Sequence, residues 1–382
     1  MKSPTKVLYN NILSSIFLIC TAIYLIIILW QNQHLYTEKF NGAEFKKLYE
    51  QSQWMDPRSK KPIGDDYLYT YAGYRYIHGE NPILINPEVP PAGKYLIGLS
   101  IQFTGNQRIM TVISGIVSLY FIYLITSLLS KSHVAGSVAV FLTATHTLFT
   151  DQLIHAPQLD MFHLMFLVMF VYAFLQFQTK KTTVLLITSG VLLGLFMSIK
   201  LAFAFLGLMD LCLALYYIVY IRDLKKTARD LFIMNTIALL VFTIDYGAFF
   251  VHGGTLRSFL GTQKWIYLFY SSSKIETSKI LGSYIGLILT NSWRVWSTGY
   301  PIVHYDQWGI SWPVLFITGI LSSIWLMIKT NSKLLAFIFI YICVYNIFLF
   351  AVPVFPRYLL ILFVPLHIMI ATTCSQLLHK YI

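Results

Sequence analysis

The chain has 382 residues, of which 57% are hydrophobic and only 12% are charged, with a net charge of +12. A soluble domain carries roughly 25% charged residues, so this chain has too few to cover a surface exposed to water. Composition therefore excludes a soluble globular protein and a disordered chain, and it predicts a polytopic membrane protein.

The cations are distributed unevenly between the segments that connect the long apolar runs. When those runs are taken as membrane spans, alternate connecting segments hold twelve Lys and Arg residues against only two acids, Asp223 and Asp230. This positive-inside pattern predicts that both termini are cytoplasmic, and it argues against nucleic-acid binding. The cations are Lys2, Lys6, Lys131, Lys180, Lys181, Arg222, Lys225, Lys226, Arg229, Lys329, Lys333 and Lys380.

About ten apolar runs approach the length of about 20 residues that a helix needs to cross the hydrocarbon core. No cleavage motif follows the first run, which predicts an uncleaved span rather than a signal peptide. Residues 280–290 would reverse the charge asymmetry if they crossed, so they predict an interfacial or re-entrant segment. The predicted spans are 12–30, 108–129, 134–150, 160–178, 182–199, 201–221, 231–251, 309–328, 334–352 and 357–378.

Two polar segments interrupt the spans, and the predicted topology places both on the external face. Residues 31–94 form the first external loop, which contains helix-forming stretches, and residues 252–308 form the second. The sequence therefore predicts an all-α integral membrane protein, a polytopic helix bundle forming a single module over residues 1–382 without a separate soluble domain. The cysteines lie within apolar runs and show no disulfide or zinc-site spacing.

Asp65 and Asp66 are adjacent carboxylates that follow Gly64 and open a helical stretch from Tyr67 to His78. Neighbouring acids repel each other, which raises the pKa of one of them and suits it to act as a general base. The alternative is a helix N-cap, because an Asp before a helix accepts backbone hydrogen bonds and favours the helix dipole.

Other candidate residues lie at the outer ends of predicted spans. Asp160 and His163 share a helix face and could contact a polar substrate or a metal, with N-capping as the alternative for Asp160. Arg108, Lys200 and Arg357 lie near the same interface, where three cations suit a phosphate. Their alternative role is snorkelling to lipid headgroups.

Asp210 and Asp245 lie within predicted spans, where a carboxylate is costly and indicates a function or a satisfied partner. Asp245 is nearer the external end and could line a cavity there. Asp210 is deeper, so the sequence favours a Tyr or Ser partner inside the bundle.

Several short motifs follow one another on the predicted external face, and in this order they resemble one family. The motifs are Gly64-Asp65-Asp66-Tyr67, Val89-Pro90-Pro91-Ala92-Gly93-Lys94, Arg108, Leu159-Asp160-Met161, Gly-Leu-x-x-Ser-x-Lys ending at Lys200, and Arg357-Tyr358-Leu359-Leu360. They resemble the dolichyl-phosphate-mannose protein mannosyltransferase superfamily, which includes the protein O-mannosyltransferases and the aminoarabinose transferases that modify lipid A. The resemblance implies a GT-C glycosyltransferase fold of bacterial or archaeal type.

The resemblance also implies roles for individual residues. Asp65 matches the family's catalytic Asp, Asp66 stands where the family has Glu, and Arg108 matches an Arg that contacts the donor phosphate. Three further positions depart from the family pattern: Val89 replaces a His, Ala92 replaces a Leu, and His155 stands where members often have an Arg.

The mechanism implied by the resemblance is a single inverting displacement at the anomeric carbon on the external face of the plasma membrane. Asp65 takes the proton of an acceptor hydroxyl, and cations stabilise the leaving polyprenyl phosphate. The catalytic candidates are Asp65 and Asp66, with Asp66 orienting Asp65 or the acceptor. The phosphate-binding candidates are Arg108, Lys200 and Arg357, and the supporting or substrate-contacting candidates are Asp160, His155, Lys94 and Asp245.

The implied partners are the lipid bilayer, a polyprenyl-phosphate sugar as donor substrate, and an acceptor that is a protein, a lipid or a glycan. Some relatives use a divalent metal, but no ligand set in this sequence requires one. Two alternatives stay open: a secondary transporter, which would place polar groups at the bilayer midplane, and a catalytically inactive scaffold with the GT-C fold.

Overall fold

The computed structural model describes residues 4–155, 157–272 and 275–381, and these are almost entirely helical. Within them, eight helices are long and apolar enough to cross a membrane. The prediction of an all-α polytopic bundle is therefore confirmed, whereas Lys2 and the side chains of Lys6 and Lys380 lie outside the described residues. The candidate spans are Asn10–Gln31, Ile109–Ser130, Asp160–Lys180, Ala202–Ile221, Leu224–Asp245, Ser311–Lys329, Lys333–Ala351 and Pro356–Leu378.

The helices follow one another with short connections. In the first half they are α1 Pro4–Gln31, α2 Gln33–Thr37, α3 Gly42–Glu50, α4 Asp65–Ile77, α5 Ala92–Thr104, α6 Ile109–Ser130, α7 His133–Ala144, α8 Thr147–Ile154 and α9 Asp160–Lys180. In the second half they are α10 Thr183–Met197, α11 Ala202–Tyr216, α12 Leu224–Asp245, α13 Gly247–Val251, α14 Leu256–Ser272, α15 Thr277–Ile280, α16 Ser283–Thr290, α17 Ser311–Lys329, α18 Lys333–Ala351 and α19 Leu360–Tyr381. A π-helical turn, Tyr217–Ile221, continues α11, and a 3₁₀ turn, Pro356–Leu359, leads into α19.

Two predicted spans are shorter than expected, and each breaks at a polar residue. The run 134–150 divides after α7, because the His146 side chain accepts a hydrogen bond from the Leu148 amide and starts α8. The run 182–199 leaves the helix after Met197, which makes α10 about 22 Å long, less than the roughly 30 Å hydrocarbon core. The segment 280–290 contains α16, which is too short to span a membrane. The side of the membrane on which the termini lie stays a prediction.

The centre of the bundle is formed by α9 and α19. The most apolar stretch of α9 is 83% buried and that of the span containing α19 is 78% buried, against 11% for α1. Helix α9 packs against α6, α10 and α19. The beginnings of α9 and α19 and the end of α10 therefore meet at one end of the bundle, while Lys180 and Lys181 lie at the other end of α9.

Residues 31–94 fold over the end of the bundle at which α9 begins. Helices α3 and α4 share a small core that includes Phe45, Tyr49 and Tyr71. Helix α4 then packs closely on α5, where a Cβ atom at Gly73 would collide with the Lys94 carbonyl oxygen and one at Gly98 with that of Gly73. This close approach fixes the position of α4, whose first residue is Asp65.

The second polar segment, residues 252–308, contributes α14 and a two-stranded antiparallel hairpin. Strand β1 (Trp293–Arg294) pairs with β2 (Ile302–Val303). The indole N–H of Trp293 donates to the Val354 carbonyl oxygen over 3.0 Å, which fastens the hairpin to the chain just before the 3₁₀ turn.

Candidate active site

Asp65 and Asp66 occupy the first turn of α4, but they differ in what they contact. Gly64 is the N-cap residue and no side chain caps the helix, so the capping alternative does not describe Asp65. The Asp65 Oδ2 atom instead accepts a hydrogen bond from Arg357 Nη2 over 2.7 Å. The Asp66 carboxylate folds back toward Gly64, where an added Cβ would lie 2.5 Å from its Oδ1 atom.

Arg357 joins Asp65 to a second carboxylate, and together they form the central network of the site. Arg357 Nε lies 3.4 Å from Asp160 Oδ2, and Lys200 Nζ donates to Asp160 Oδ1 over 2.9 Å. The side chains of Asp160 and Lys200 are 7% and 8% exposed, and that of Asp65 is 47% exposed. The structure thus brings together four residues singled out from the sequence, Asp65, Asp160, Lys200 and Arg357, with equal numbers of positive and negative charges.

Lys200 reaches the network because the chain leaves the helical path between α10 and α11. The next residue, Leu201, has a φ of +43°, in the left-handed region that a side chain with a Cβ disfavours by roughly 1–2 kcal/mol. The Lys200 ammonium lies 4.2 Å from the centre of the Tyr358 ring, which provides a cation–π contact. The helix α10 thus ends before Lys200, and the strained turn at Leu201 directs the Lys200 side chain to Asp160.

Arg357 is held in the 3₁₀ turn between two aromatic rings. Pro356 opens the turn, and the Arg357 guanidinium lies 5.2 Å from the Phe355 ring centre and 5.7 Å from that of Tyr358. The Tyr345 hydroxyl donates to the Tyr358 carbonyl oxygen over 2.9 Å, which anchors the turn to α18. These contacts fix a side chain that has only 16% of its surface exposed.

The paired Asp160 and His163 do not act together toward a metal. Leu159, not Asp160, is the N-cap of α9, and it makes no side-chain cap. The buried His163 ring stacks on Phe196 with 4.1 Å between ring centres and meets Phe205 edge-on at 4.3 Å. His163 is therefore a core residue, and Asp160 bonds to cations.

A divalent metal does not fit these residues. In the three described ranges, no group of three His, Cys, Asp or Glu side chains converges as metal ligands. The two carboxylates of the network are already bonded to Arg357 and Lys200. No step of the mechanism is therefore assigned to a metal.

Lys94 lies in a second, closed ionic centre. Its fully buried ammonium donates to the Asn86 carbonyl oxygen, Asn86 Oδ1 and the Val89 carbonyl oxygen over 2.7, 2.8 and 2.6 Å. Burial lowers the pKa of Lys94 to about 7, and the nearby Glu88 carboxylate opposes this change. Gly93 packs so closely on Leu159 that a Cβ would come within 2.7 Å of its side chain, so this centre supports the start of α9.

Arg108 lies elsewhere on this end of the molecule. Its Nη1 atom is 3.4 Å from Glu38 Oε2 and donates to the Leu35 carbonyl oxygen over 3.3 Å. Among the described residues its ion-pair partner is Glu38, not Asp65 or Asp160, so the structure does not bring Arg108 into the network. The expected contact of Arg108 with the donor phosphate stays a prediction.

Two of the three remaining predicted residues, His155 and Asp210, have partners of their own. His155 Nδ1 lies 2.7 Å from Asp151 Oδ1, and the hydrogen bond that the His155 ring donates to this carboxylate raises the pKa of His155. Asp210 accepts a hydrogen bond from Asn235 over 3.0 Å, so its predicted polar partner exists but is an amide. Asp245 ends α12 and is partly buried.

Sequence reasoning missed the tyrosines that surround the network. Tyr69 lies one turn after Asp65 on α4, and burial, reinforced by Asp65, raises its pKa. Burial likewise raises the pKa of Tyr270, whose hydroxyl donates to the Glu88 carbonyl oxygen over 3.3 Å. The spacing of four residues from Asp65 could have identified Tyr69, but nothing local in the sequence distinguishes Tyr270 from the other aromatic residues of 252–308.

Comparison with known proteins gives a family match and a fold match. Residues 88–245 match the family model described as dolichyl-phosphate-mannose-protein mannosyltransferase. The fold is similar to that of ArnT from Cupriavidus metallidurans in the apo state, with a TM-score of 0.59 and 12% identity over 93% of this chain and 60% of that chain. ArnT from the same organism bound to undecaprenyl phosphate gives a TM-score of 0.51 and 15% identity over 92% of this chain and 60% of that chain.

The chain thus spans about 60% of the length of the solved structures that it matches. Comparison with curated protein sequences finds no match. The expected resemblance is nevertheless confirmed, because the chain has the GT-C-like helical fold of ArnT and, over residues 88–245, the sequence pattern of the dolichyl-phosphate-mannose-protein mannosyltransferases.

Proposed function

We propose that the protein is a membrane glycosyltransferase that moves a sugar from a polyprenyl-phosphate donor to an acceptor hydroxyl. The network of Asp65, Arg357, Asp160 and Lys200 carries this proposal. It places a half-exposed carboxylate, Asp65, against Arg357, which also lies beside the buried ion pair of Asp160 and Lys200 at one end of an apolar bundle. A lipid-linked sugar needs such a place, because its tail stays in the bilayer while its sugar meets the acceptor at the surface.

Asp65 acts as the general base in this proposal. It is the exposed carboxylate of the network, so an acceptor hydroxyl can approach it, whereas Asp160 is buried against Lys200. Its carboxylate takes the acceptor proton while the acceptor oxygen attacks the anomeric carbon, and general base catalysis contributes about 10²–10⁴-fold. Asp66, next along the chain, orients the acceptor.

Arg357 and Lys200 stabilise the leaving group. As the bond between the anomeric carbon and the phosphate oxygen breaks, its electron pair goes to that oxygen, and the phosphate gains negative charge. Preorganised donors aimed at developing charge give the largest stabilisation, and loss of one typically costs about 10²–10³ in rate. One displacement inverts the anomeric configuration, and we place the reaction on the external face of the plasma membrane.

The test is donor consumption by the purified full-length protein, supplied with labelled polyprenyl-phosphate sugars and a membrane extract as a source of acceptors. Wild type is expected to consume at least one donor, and the product should carry the opposite anomeric configuration. Asp65→Asn keeps the shape and removes the base, so it should lower turnover by about 10²–10⁴-fold. Equal consumption by both proteins would remove Asp65 from its role, and no consumption by folded wild type would contradict the donor class.

A further inference from the structure

The proposed base is bonded to the same cation that the leaving phosphate needs. Arg357 Nη2 donates to Asp65 Oδ2 over 2.7 Å, so this carboxylate oxygen already accepts a hydrogen bond from the cation where an acceptor hydroxyl would have to approach. We propose that Arg357 exchanges partners: it holds Asp65 until the donor binds, and the donor phosphate then takes Arg357 and releases Asp65 for proton transfer. This inference rests on the proposed function and adds to it a coupling between donor binding and activation of the base.

The two carboxylates bonded to Arg357 differ in how replaceable they are. Asp160 is 7% exposed and also forms an ion pair with Lys200. Separating Asp160 from the two cations would leave a buried charge without a partner, which is costly. Asp65 is 47% exposed and stands on the first turn of α4, where water can replace its partner. An incoming anion would therefore displace Asp65 and leave Asp160 in place.

Both cations have unused hydrogen-bond donors. A guanidinium has five N–H donors, and Arg357 makes a hydrogen bond to Asp65. Its buried Nε lies 3.4 Å from Asp160 and has no hydrogen-bond partner among the residues that the structure describes. The Lys200 ammonium has three donors and bonds to Asp160 Oδ1. A phosphate can therefore bind both cations without breaking their contacts with Asp160.

Charge accounting supports the exchange. The network is neutral at rest, with two carboxylates and two cations. During transfer the acceptor proton goes to Asp65, which becomes neutral, while the phosphate changes from a singly charged diester to a doubly charged monoester. The negative charge that disappears from Asp65 thus appears on the phosphate, and Arg357 neutralises it in both places.

The rival explanation is that the ion pair only fastens α4 to the 3₁₀ turn. The two explanations predict different donor affinities. If Asp65 competes with phosphate for Arg357, removal of its charge tightens donor binding even though it abolishes turnover. If the ion pair is only structural, its removal leaves affinity unchanged or weakens it.

The experiment measures binding of undecaprenyl monophosphate to the full-length protein in lipid nanodiscs. The variants are Asp65→Asn, Asp65→Ala and, as the matched control, Asp66→Asn, which removes an adjacent charge that folds toward Gly64. Both Asp65 variants are expected to bind the lipid about 3- to 10-fold more tightly than wild type, and Asp66→Asn within about twofold.

Unchanged or weaker binding by both Asp65 variants would overturn the exchange while leaving the donor class intact. An equal gain in all three variants would also overturn it, because it would show a general effect of surface charge. Absence of binding in wild type and every variant would overturn the exchange together with the proposed donor class. Size-exclusion profiles and unfolding midpoints establish that each variant is folded.

Discussion

Two ionic centres lie a short distance apart in this protein, and they use the same residue types differently. In the closed centre, the Lys94 ammonium has three oxygen partners and is completely buried. In the open network, Arg357 and Lys200 keep unused donors, and Asp65 is half exposed. Gly93, which packs on Leu159, connects the two centres.

The comparison shows that a buried cation near an active site is not by itself evidence for substrate binding. The two centres differ in how many N–H donors of their cations are already hydrogen-bonded. A cation whose donors are all hydrogen-bonded cannot donate to an incoming phosphate. The closed centre should therefore determine stability, and the open network should determine turnover.

Arg357→Gln is expected to lower turnover by about 10²–10³-fold, because it removes the cation that faces both the base and the leaving phosphate. Arg357→Lys should recover part of this loss, since it restores the charge without the planar fork. Donor consumption per folded molecule measures both effects. As the control, Arg58→Gln removes an exposed Arg from the polar segment 31–94 and should leave turnover unchanged. An equal loss in Arg58→Gln would contradict a specific role of Arg357.

Lys94→Met is expected to destabilise the folded state by about 2–4 kcal/mol, because it leaves buried oxygens of Asn86 and Val89 without a donor and Glu88 without its cation. Denaturant unfolding followed by tryptophan fluorescence measures the change. Lys46→Met is the matched control, because the Lys46 side chain is 57% exposed and pairs with an exposed Glu50. Equal stability of the two variants would contradict a structural role for the closed centre.

The closed centre should also make stability depend on pH. The pKa of Lys94 is lowered from 10.5 to about 7, so the folded state disfavours its charged form. Between pH 7 and 10.5 the unfolded chain binds more protons at Lys94 than the folded protein does, so the free energy of unfolding rises with pH in this range. Below about pH 7 Lys94 is protonated in both states and contributes no pH dependence. Between pH 7 and 9 the difference between wild type and Lys94→Met should grow by about 1 kcal/mol per pH unit. A constant difference would show that Lys94 does not titrate there.

The smallest effect is expected at the outer ion pair of Arg108. The Glu38 side chain is 63% exposed, and such pairs contribute less than about 1 kcal/mol. Glu38→Gln should therefore change neither the unfolding midpoint nor turnover measurably. A large loss of turnover would show that this pair positions Arg108 toward the donor and would extend the open network to it.

The sequence predicted the fold well, because membrane spans leave a strong and simple pattern. Long apolar runs identified the central helices α9 and α19, whose burial follows from apolarity on every face. The prediction of membrane spans was wrong in length at 134–150 and 182–199, where the apolar composition continues although the helix ends. The residues at those breaks contact distant parts of the chain, because the His146 ring packs on Trp312 and Phe363 and Lys200 bonds to Asp160, and no local window of sequence contains these contacts.

For the site, the sequence found the members but not their pairing. Asp65 stood out as one of two adjacent acids. Asp160, Lys200 and Arg357 stood out as polar residues at the ends of apolar runs, and the structure joins these residues with Asp65 across up to 292 positions. Arg108 had the same signature, yet its neighbour is Glu38. Lys94 stood out only as part of the motif Val89 to Lys94, and the buried oxygens around it show that its donors are satisfied.

The most direct test of the account compares the turnover of Asp65→Asn with that of Asp66→Asn, per mole of folded protein, on whichever polyprenyl-phosphate sugar wild type consumes. The two substitutions make the same chemical change at adjacent positions, but Asp65 alone of the two is bonded to Arg357 in the described structure. The account predicts a loss of about 10²–10⁴-fold for Asp65→Asn and of at most about tenfold for Asp66→Asn. Equal losses, or a larger loss at Asp66, would contradict it.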